Sequence, residues 1–183
     1  LDNKKINKKD EEIIYKDNYV ELKKALYETN SGYTGKWAYL ERKNRQKAAV
    51  IIPIINNDNI LLIKQYRIPI DSYIIEFPAG LIEDGEEIGS AALRELEEET
   101  GYKGEIVEIS SSLPTSPGLT SEEIYFIIVK ITGSGNKNLE EVEDIENLII
   151  PTKDLKNRLK ELSKTGIKID SKVWALATGI FFE

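Results

Sequence analysis

Residues 80–102 read GLIEDGEEIGSAALRELEEETGY, and the spacing inside this stretch decides the fold. Gly80 is followed by Glu86, and then by the run Arg94-Glu95-Leu96-Glu97-Glu98-Glu99-Thr100-Gly101. Ile88, Ala92, Leu93 and Leu96 form an apolar stripe that predicts a helix from about Glu86 to Thr100. Gly101 is its stop, because glycine accepts the left-handed conformation that ends helices. On this helix Glu95, Glu98 and Glu99 fall three and four residues apart and share one face. Like charges in that arrangement destabilise a helix. Three carboxylates on one face therefore imply a cation to which they are addressed. Taken alone, Glu97-Glu98-Glu99 is also what a solvated helix face looks like.

The rest of the chain narrows the chemistry. There are 183 residues, 40% hydrophobic and 31% charged, ordinary values for a soluble globular protein with a proper core. No apolar run approaches the length of a transmembrane span. The N-terminal LDNKKINKKDEE lacks the apolar segment of a secretory leader. Cysteine is absent, which removes disulfides and thiolate metal sites and suits a cytoplasmic location. Histidine is absent too, so no imidazole can act as base, nucleophile partner or metal ligand. Chemistry falls to carboxylates, Lys, Arg, Tyr, Ser and Thr. A net charge of −7 argues against nucleic-acid partners.

Along the chain, residues 1–12 read as frayed. A hairpin follows, NYVELKKALYE then KWAYLERK, around a polar turn from Thr29 to Gly35. AAVIIPII (48–55) and ILLIKQYR (60–67) read as strands across a turn at 56–59, and DSYIIEFPAG as a short strand ending at Pro78. EIVEI, EEIYFIIVKI and ENLIIP are further strands, 132–144 is a polar, mobile-looking loop, and 152–164 and 170–181 are helices. Asp170 or Ser171 is placed to cap the last of them. The reading is an α+β fold: a mixed sheet sandwiched between helices, with an N-terminal antiparallel hairpin region (1–46) ahead of a main body (47–183).

The spacing of residues 80–102 resembles the Nudix box, the signature of hydrolases that cleave a nucleoside diphosphate linked to another moiety. The resemblance implies a Nudix fold, with the main body as catalytic domain. By it Glu95, Glu98 and Glu99 are metal ligands together with the backbone carbonyl of Ala79, and Arg94 orients a carboxylate. Glu86 braces the loop before the helix. The ion implied is Mg²⁺, with Mn²⁺ as a substitute; hard divalent cations suit carboxylate and carbonyl oxygens.

KQYRIPIDSYIIEFPAGLIEDGE (64–86) and Pro117, sixteen residues past Gly101, resemble the ADP-ribose and ADP-sugar pyrophosphatase branch of that family. In that branch Tyr19 and Trp37 match aromatic positions that sandwich adenine, although the first is Trp in the relative compared. Arg42 matches a ligand-reaching arginine, Arg67 an arginine at the diphosphate, and Glu76 a glutamate lining the same pocket. From the residues alone, cross-strand packing is the favoured reading of Tyr19 and Trp37. The branch also implies a homodimer with exchanged N-terminal hairpins.

In the loop, EEVEDI resembles a segment in which two glutamates act on water and metal. Glu143 is the first candidate for base, with Val142 where the relative has glycine, and Glu141 is the second. The implied activity is hydrolysis of ADP-ribose to AMP and ribose 5-phosphate. Other ADP-sugars, an oxidised substrate such as 8-oxo-dGDP, and a non-catalytic nucleotide-binding domain stand as alternatives.

Overall fold

The computed structural model describes residues 5–139 and 144–179. In chain order the strands are β1 (Ile6–Lys16), β2 (Val20–Thr29), β3 (Thr34–Arg42), β4 (Ala48–Ile55), β5 (Asn59–Arg67), β6 (Ser72–Glu76) and β7 (Ala79–Leu81). Helix α1 (Ile88–Thr100) follows, then β8 (Tyr102–Ile109), β9 (Leu113–Pro114), β10 (Glu123–Ser134) and β11 (Ile145–Pro151). Helix α2 (Leu155–Lys164), β12 (Lys168–Ile169) and helix α3 (Ser171–Gly179) complete the order. The chain divides into two compact units, Leu1–Lys47 with Ser112–Ile124, and Ala48–Ser111 with Tyr125–Glu183.

The first unit is built on an antiparallel sheet of order β1-β2-β3. The expectation that residues 1–12 fray is wrong for Ile6 onward. Strand β1 pairs with β2 from Ile6↔Thr29 to Lys16↔Glu21, with two register shifts. Every β1 residue is exposed, so no apolar alternation announces the strand. Backbone pairing holds it, helped by charge pairs across to β2 such as Lys9–Glu28 at 2.8 Å and Lys16–Glu21 at 2.6 Å. At the centre of the sheet Lys23 and Glu41 are buried against each other. The Glu41 carboxylate pushes the Lys23 ammonium above its ordinary range, and Glu21, 3.2 Å away, adds to the effect. Ser121 Oγ donates to the second oxygen of Glu41 at 3.2 Å, so the buried carboxylate is satisfied on both sides.

The second unit carries a mixed sheet in the order β12-β6-β5-β4-β10-β8, with β11 also paired to β5 and β7 to β4. Two of its strands were not anticipated: β7 and β12 are three and two residues long. Alternation along β4 and β5 sends Ile51 and Leu61 to one face of the sheet. There they join Ala49, Ile127, Val129 and, from α1, Ala92 and Leu96 in a fully buried core. On the opposite face a cavity of about 610 Å³ is lined by Ile52, Phe77, Phe126 and Ile128 and by Ala175 and Leu176 of α3. Helices thus lie on both faces, as expected. Asp170 caps α3: its Oδ1 accepts from Lys172 N at 2.7 Å. Just after β10, residues 135–138 are tied to the end of α1: Gly135 N donates to Gly101 O (2.7 Å) and Asn138 N to Glu98 O (2.9 Å).

Candidate active site

Helix α1 starts two residues later than its apolar stripe suggested, with Glu87 in extended conformation at its N-cap. Glu86 belongs to the turn before it. Its amide donates to Glu83 O and its Oε2 accepts from Glu83 N, both at 3.0 Å, across Gly85 at φ +82°. Its carboxylate also takes two bonds from Arg94, Nε to Oε1 and Nη2 to Oε2, each 3.0 Å. That forked pairing holds the Glu86 carboxyl below the usual carboxylate range, with the Glu83 amide as a second cause. The same pairing raises the Arg94 guanidinium further above its already high value.

Arg94 spends its remaining donors on the site. Nη1 donates to Glu95 Oε1 at 2.7 Å and to Glu98 Oε2 at 3.1 Å, and Nη2 donates to the Leu81 carbonyl at 3.2 Å. Five N–H groups make five bonds, so no other side chain could replace it. The i,i+4 pair with Glu98 is only one of the five.

Strand β7 lies along the same helix face. Glu99 is buried, and its Oε2 accepts from the Ala79 amide at 3.0 Å. The Glu95 carboxylate stands against Gly80, where a Cβ would overlap its Cδ and both oxygens. A side chain at position 80 would displace the Glu95 carboxylate. Glu97 points elsewhere: it pairs with Lys103 at 3.2 Å and accepts from Asn136 N at 3.3 Å. Ala79, Glu95, Glu98, Glu99 and Arg94 are therefore gathered where β7 meets α1. Among the described residues no three acidic side chains converge tightly enough to enclose an ion by themselves. Arg94 Nη1 bridges Glu95 and Glu98 in this conformation.

Sequence reasoning missed what holds the end of this helix. Gly101, at φ +74°, donates to Glu97 O at 2.8 Å. The Glu98 carbonyl accepts from Asn138 N, and the Thr100 carbonyl from Asn147 Nδ2 at 2.8 Å. The C-terminal carbonyls that a helix leaves unpaired are thus satisfied from distant parts of the chain. No local signal foretells this.

Arg67 and Glu76 come together as a pair, Nε to Oε1 at 2.8 Å. Burial pushes the Glu76 carboxyl up, and the Arg67 guanidinium partly offsets this. In the first unit Tyr19 is 77% exposed and Trp37 53% exposed. The partner of Trp37 across the sheet is Ala25, six positions from Tyr19. Within one chain the two positions are thus roughly 20 Å apart along the backbone. Trp37 and Arg42 are each hydrogen-bonded, to Gly118 O (3.0 Å) and Glu122 Oε1 (2.6 Å). Glu141 and Glu143 lie outside the described residues.

Glu95, Glu98 and Glu99 beside a fully used arginine where α1 meets β7, on a mixed sheet with helices on both faces, are the arrangement expected of a Nudix hydrolase. The family model described as NUDIX domain matches residues 44–169, and the chain belongs to this family. It is 38% identical over 180 residues to the ADP-sugar pyrophosphatase of Mus musculus, covering 90% of this chain and 83% of that protein. It is 34% identical over 177 residues to the ADP-ribose pyrophosphatase of Saccharomyces cerevisiae, covering 88% and 77%. A crystal structure of an ADP compounds hydrolase shares the fold, with a TM-score of 0.74 at 21% identity over 96% of this chain and 94% of that one. Among the described residues no helix is long and apolar enough to cross a membrane.

Proposed function

We propose that the chain is a Mg²⁺-dependent pyrophosphatase that hydrolyses ADP-ribose to AMP and ribose 5-phosphate, with other ADP-sugars as further substrates. The observation that carries this reading is the meeting of β7 and α1, where Arg94 bonds Glu95 and Glu98 and Glu99 bonds the Ala79 amide. The names of the two relatives, an ADP-sugar and an ADP-ribose pyrophosphatase, point to the substrate class. The donor set is all oxygen, and Gly80 leaves room for a carboxylate to meet the backbone. Both suit Mg²⁺, with Mn²⁺ as substitute, which Glu95, Glu98, Glu99 and the Ala79 carbonyl would hold. Such an ion neutralises the diphosphate and lowers the barrier to attack at phosphorus.

The protein's own groups do the rest. Arg94 holds the Glu95 and Glu98 carboxylates in place through Nη1. Arg67, braced by Glu76, takes a diphosphate oxygen in a planar fork. Glu143, with Glu141 as second candidate, accepts the proton of the attacking water, since no histidine is available. The water's oxygen ends on one product phosphate, and the bridging oxygen leaves with the other.

Tyr19, Trp37 and Arg42 bind the adenylate end. The separation of Tyr19 from Trp37 along one hairpin supports a homodimer in which Trp37 of one copy faces Tyr19 of the other. Residues 1–46 then serve dimerisation and the adenine pocket, and residues 47–183 catalysis. The absence of cysteine suits a cytoplasmic enzyme that acts on a small nucleotide and needs neither nucleic acid nor membrane.

The test is kcat/KM side by side for ADP-ribose, ADP-glucose, ADP-mannose and 8-oxo-dGDP, with Mg²⁺ and with Mn²⁺. ADP-ribose is expected to lead. A clear preference for 8-oxo-dGDP, or nucleotide binding without any product, would displace this reading.

A further inference from the structure

Trp37 and Arg42, the two β3 side chains assigned to the nucleotide, are both fastened to one short segment, residues 115–122. Trp37 Nε1 donates to Gly118 O at 3.0 Å, and Arg42 Nε donates to Glu122 Oε1 at 2.6 Å. Between them the segment runs beside β3: Leu40 N donates to Leu119 O (2.9 Å) and Ser121 N to Leu40 O (3.0 Å).

The segment is itself braced. Leu119 N and Thr120 N both donate to Ser116 O at 2.9 Å, closing a turn. Pro117 occupies its second position, where a fixed φ is already correct. Glu122 Oε2 accepts from Thr115 Oγ1 at 3.0 Å, and Glu122 N donates to Thr120 Oγ1 at 3.0 Å. The carboxylate facing Arg42 is thus held from behind.

These bonds have a physical effect on recognition. An indole tied by its N–H keeps a fixed plane while its ring remains half exposed for stacking. A guanidinium held at Nε has fewer rotamers to lose when an anion arrives. All of the bonds lie within one chain.

We infer that residues 115–122 are the positioning element of the nucleotide site. Pro117 sets the turn whose Gly118 carbonyl orients Trp37, and Glu122 orients Arg42. The ligand served is an aromatic base joined to an anionic diphosphate. The inference rests on the assignment of Trp37 and Arg42 to substrate proposed above.

The test uses the full chain, with steady-state hydrolysis of ADP-ribose and tryptophan fluorescence in a Trp174→Phe background. ADP-ribose is added in EDTA so that binding is read without turnover. Glu122→Ala should raise KM about tenfold and leave kcat within about twofold. Glu122→Gln keeps the shape and an acceptor oxygen, so it should recover much of that loss. It also supplies the readout if the alanine variant folds poorly. Pro117→Ala should redden Trp37 emission in the free protein and weaken its quenching by ADP-ribose. Trp37→Ala and Arg42→Ala are run alongside. If these two raise KM while Glu122→Ala and Pro117→Ala bind as the wild type does, the positioning role is overturned alone. If all four bind normally, it falls together with the assignment beneath it. A parallel loss of kcat, KM selectivity and melting temperature in Glu122→Gln also overturns it, because that is the signature of a purely structural residue.

Discussion

Gly80→Ala adds one methyl group, and the structure says where the damage goes. The new Cβ would overlap the Glu95 carboxylate at its carbon and both oxygens. The backbone cannot yield easily, because Gly80 pairs with Ala49 of β4, and Ala49 is fully buried in the core under α1. Glu95 must therefore retreat by at least about 1 Å, and a displacement of that size at a reacting centre costs about 100-fold in rate. The retreat also breaks the 2.7 Å bond from Arg94 Nη1. A hydrogen bond to a charged partner contributes about 1.5–3 kcal/mol, so stability should fall by about 2 kcal/mol. Gly85→Ala is the control. It sits at φ +82° with open space around it, so it brings backbone strain without touching Glu95. Its cost should be about 1 kcal/mol of stability with turnover close to wild type. Urea denaturation gives the first quantity and ADP-ribose turnover in saturating Mg²⁺ the second. If Gly80→Ala turns over like the wild type while Gly85→Ala does not, the placement of Glu95 as a metal ligand against this glycine is refuted.

Glu99→Gln keeps an acceptor for the Ala79 amide while removing the charge, so folding should survive and turnover should drop by about 1,000-fold or more; a variant with normal turnover would remove Glu99 from the metal set. Leu96→Ala empties a fully buried position in the core beneath α1 and should cost about 2–5 kcal/mol in urea denaturation, with an unchanged m-value. Asn147→Ala leaves the Thr100 carbonyl without its donor and should cost about 1–3 kcal/mol, measured in the same way. Glu86 has a folded pKa below its unfolded value, so its contribution is present above the unfolded pKa and is lost as pH falls through the folded one. Glu86→Gln should therefore flatten the acid limb of melting temperature against pH below about pH 4.3 and leave the alkaline limb unchanged.

What could be read in the sequence was local, and what could not was long-range. The α1 stripe, the Gly101 stop and the shared face of Glu95, Glu98 and Glu99 all follow from a helical period, and each is as expected. Strand β1 escaped because its residues are charged and exposed; its pairing with β2 is a property of two segments. β7 and β12 escaped because two or three residues carry no period at all. The caps on Glu98 and Thr100 come from Asn138 and Asn147, whose residue types carry no hint of a partner forty or more positions away. Trp37 and Gly118 are separated by 81 positions. Only Pro117, legible as a turn former, gave a local trace of that contact.

The capping of α1 from so far away has a kinetic consequence. A helix of thirteen residues can begin to form within its own segment. Its last turn is different, because Thr100 and Asn147 are 47 residues apart and Asn147 is delivered by β11, which pairs with β5. The part of the helix that bears Glu98 and Glu99 is therefore completed only after a distant strand has joined the sheet, a slow event dominated by chain closure. Amides in the final turn of α1 should gain protection from hydrogen exchange together with β11 and later than those around Ala92. The acidic face is then finished in step with the sheet around it, and a half-made chain does not present it fully formed.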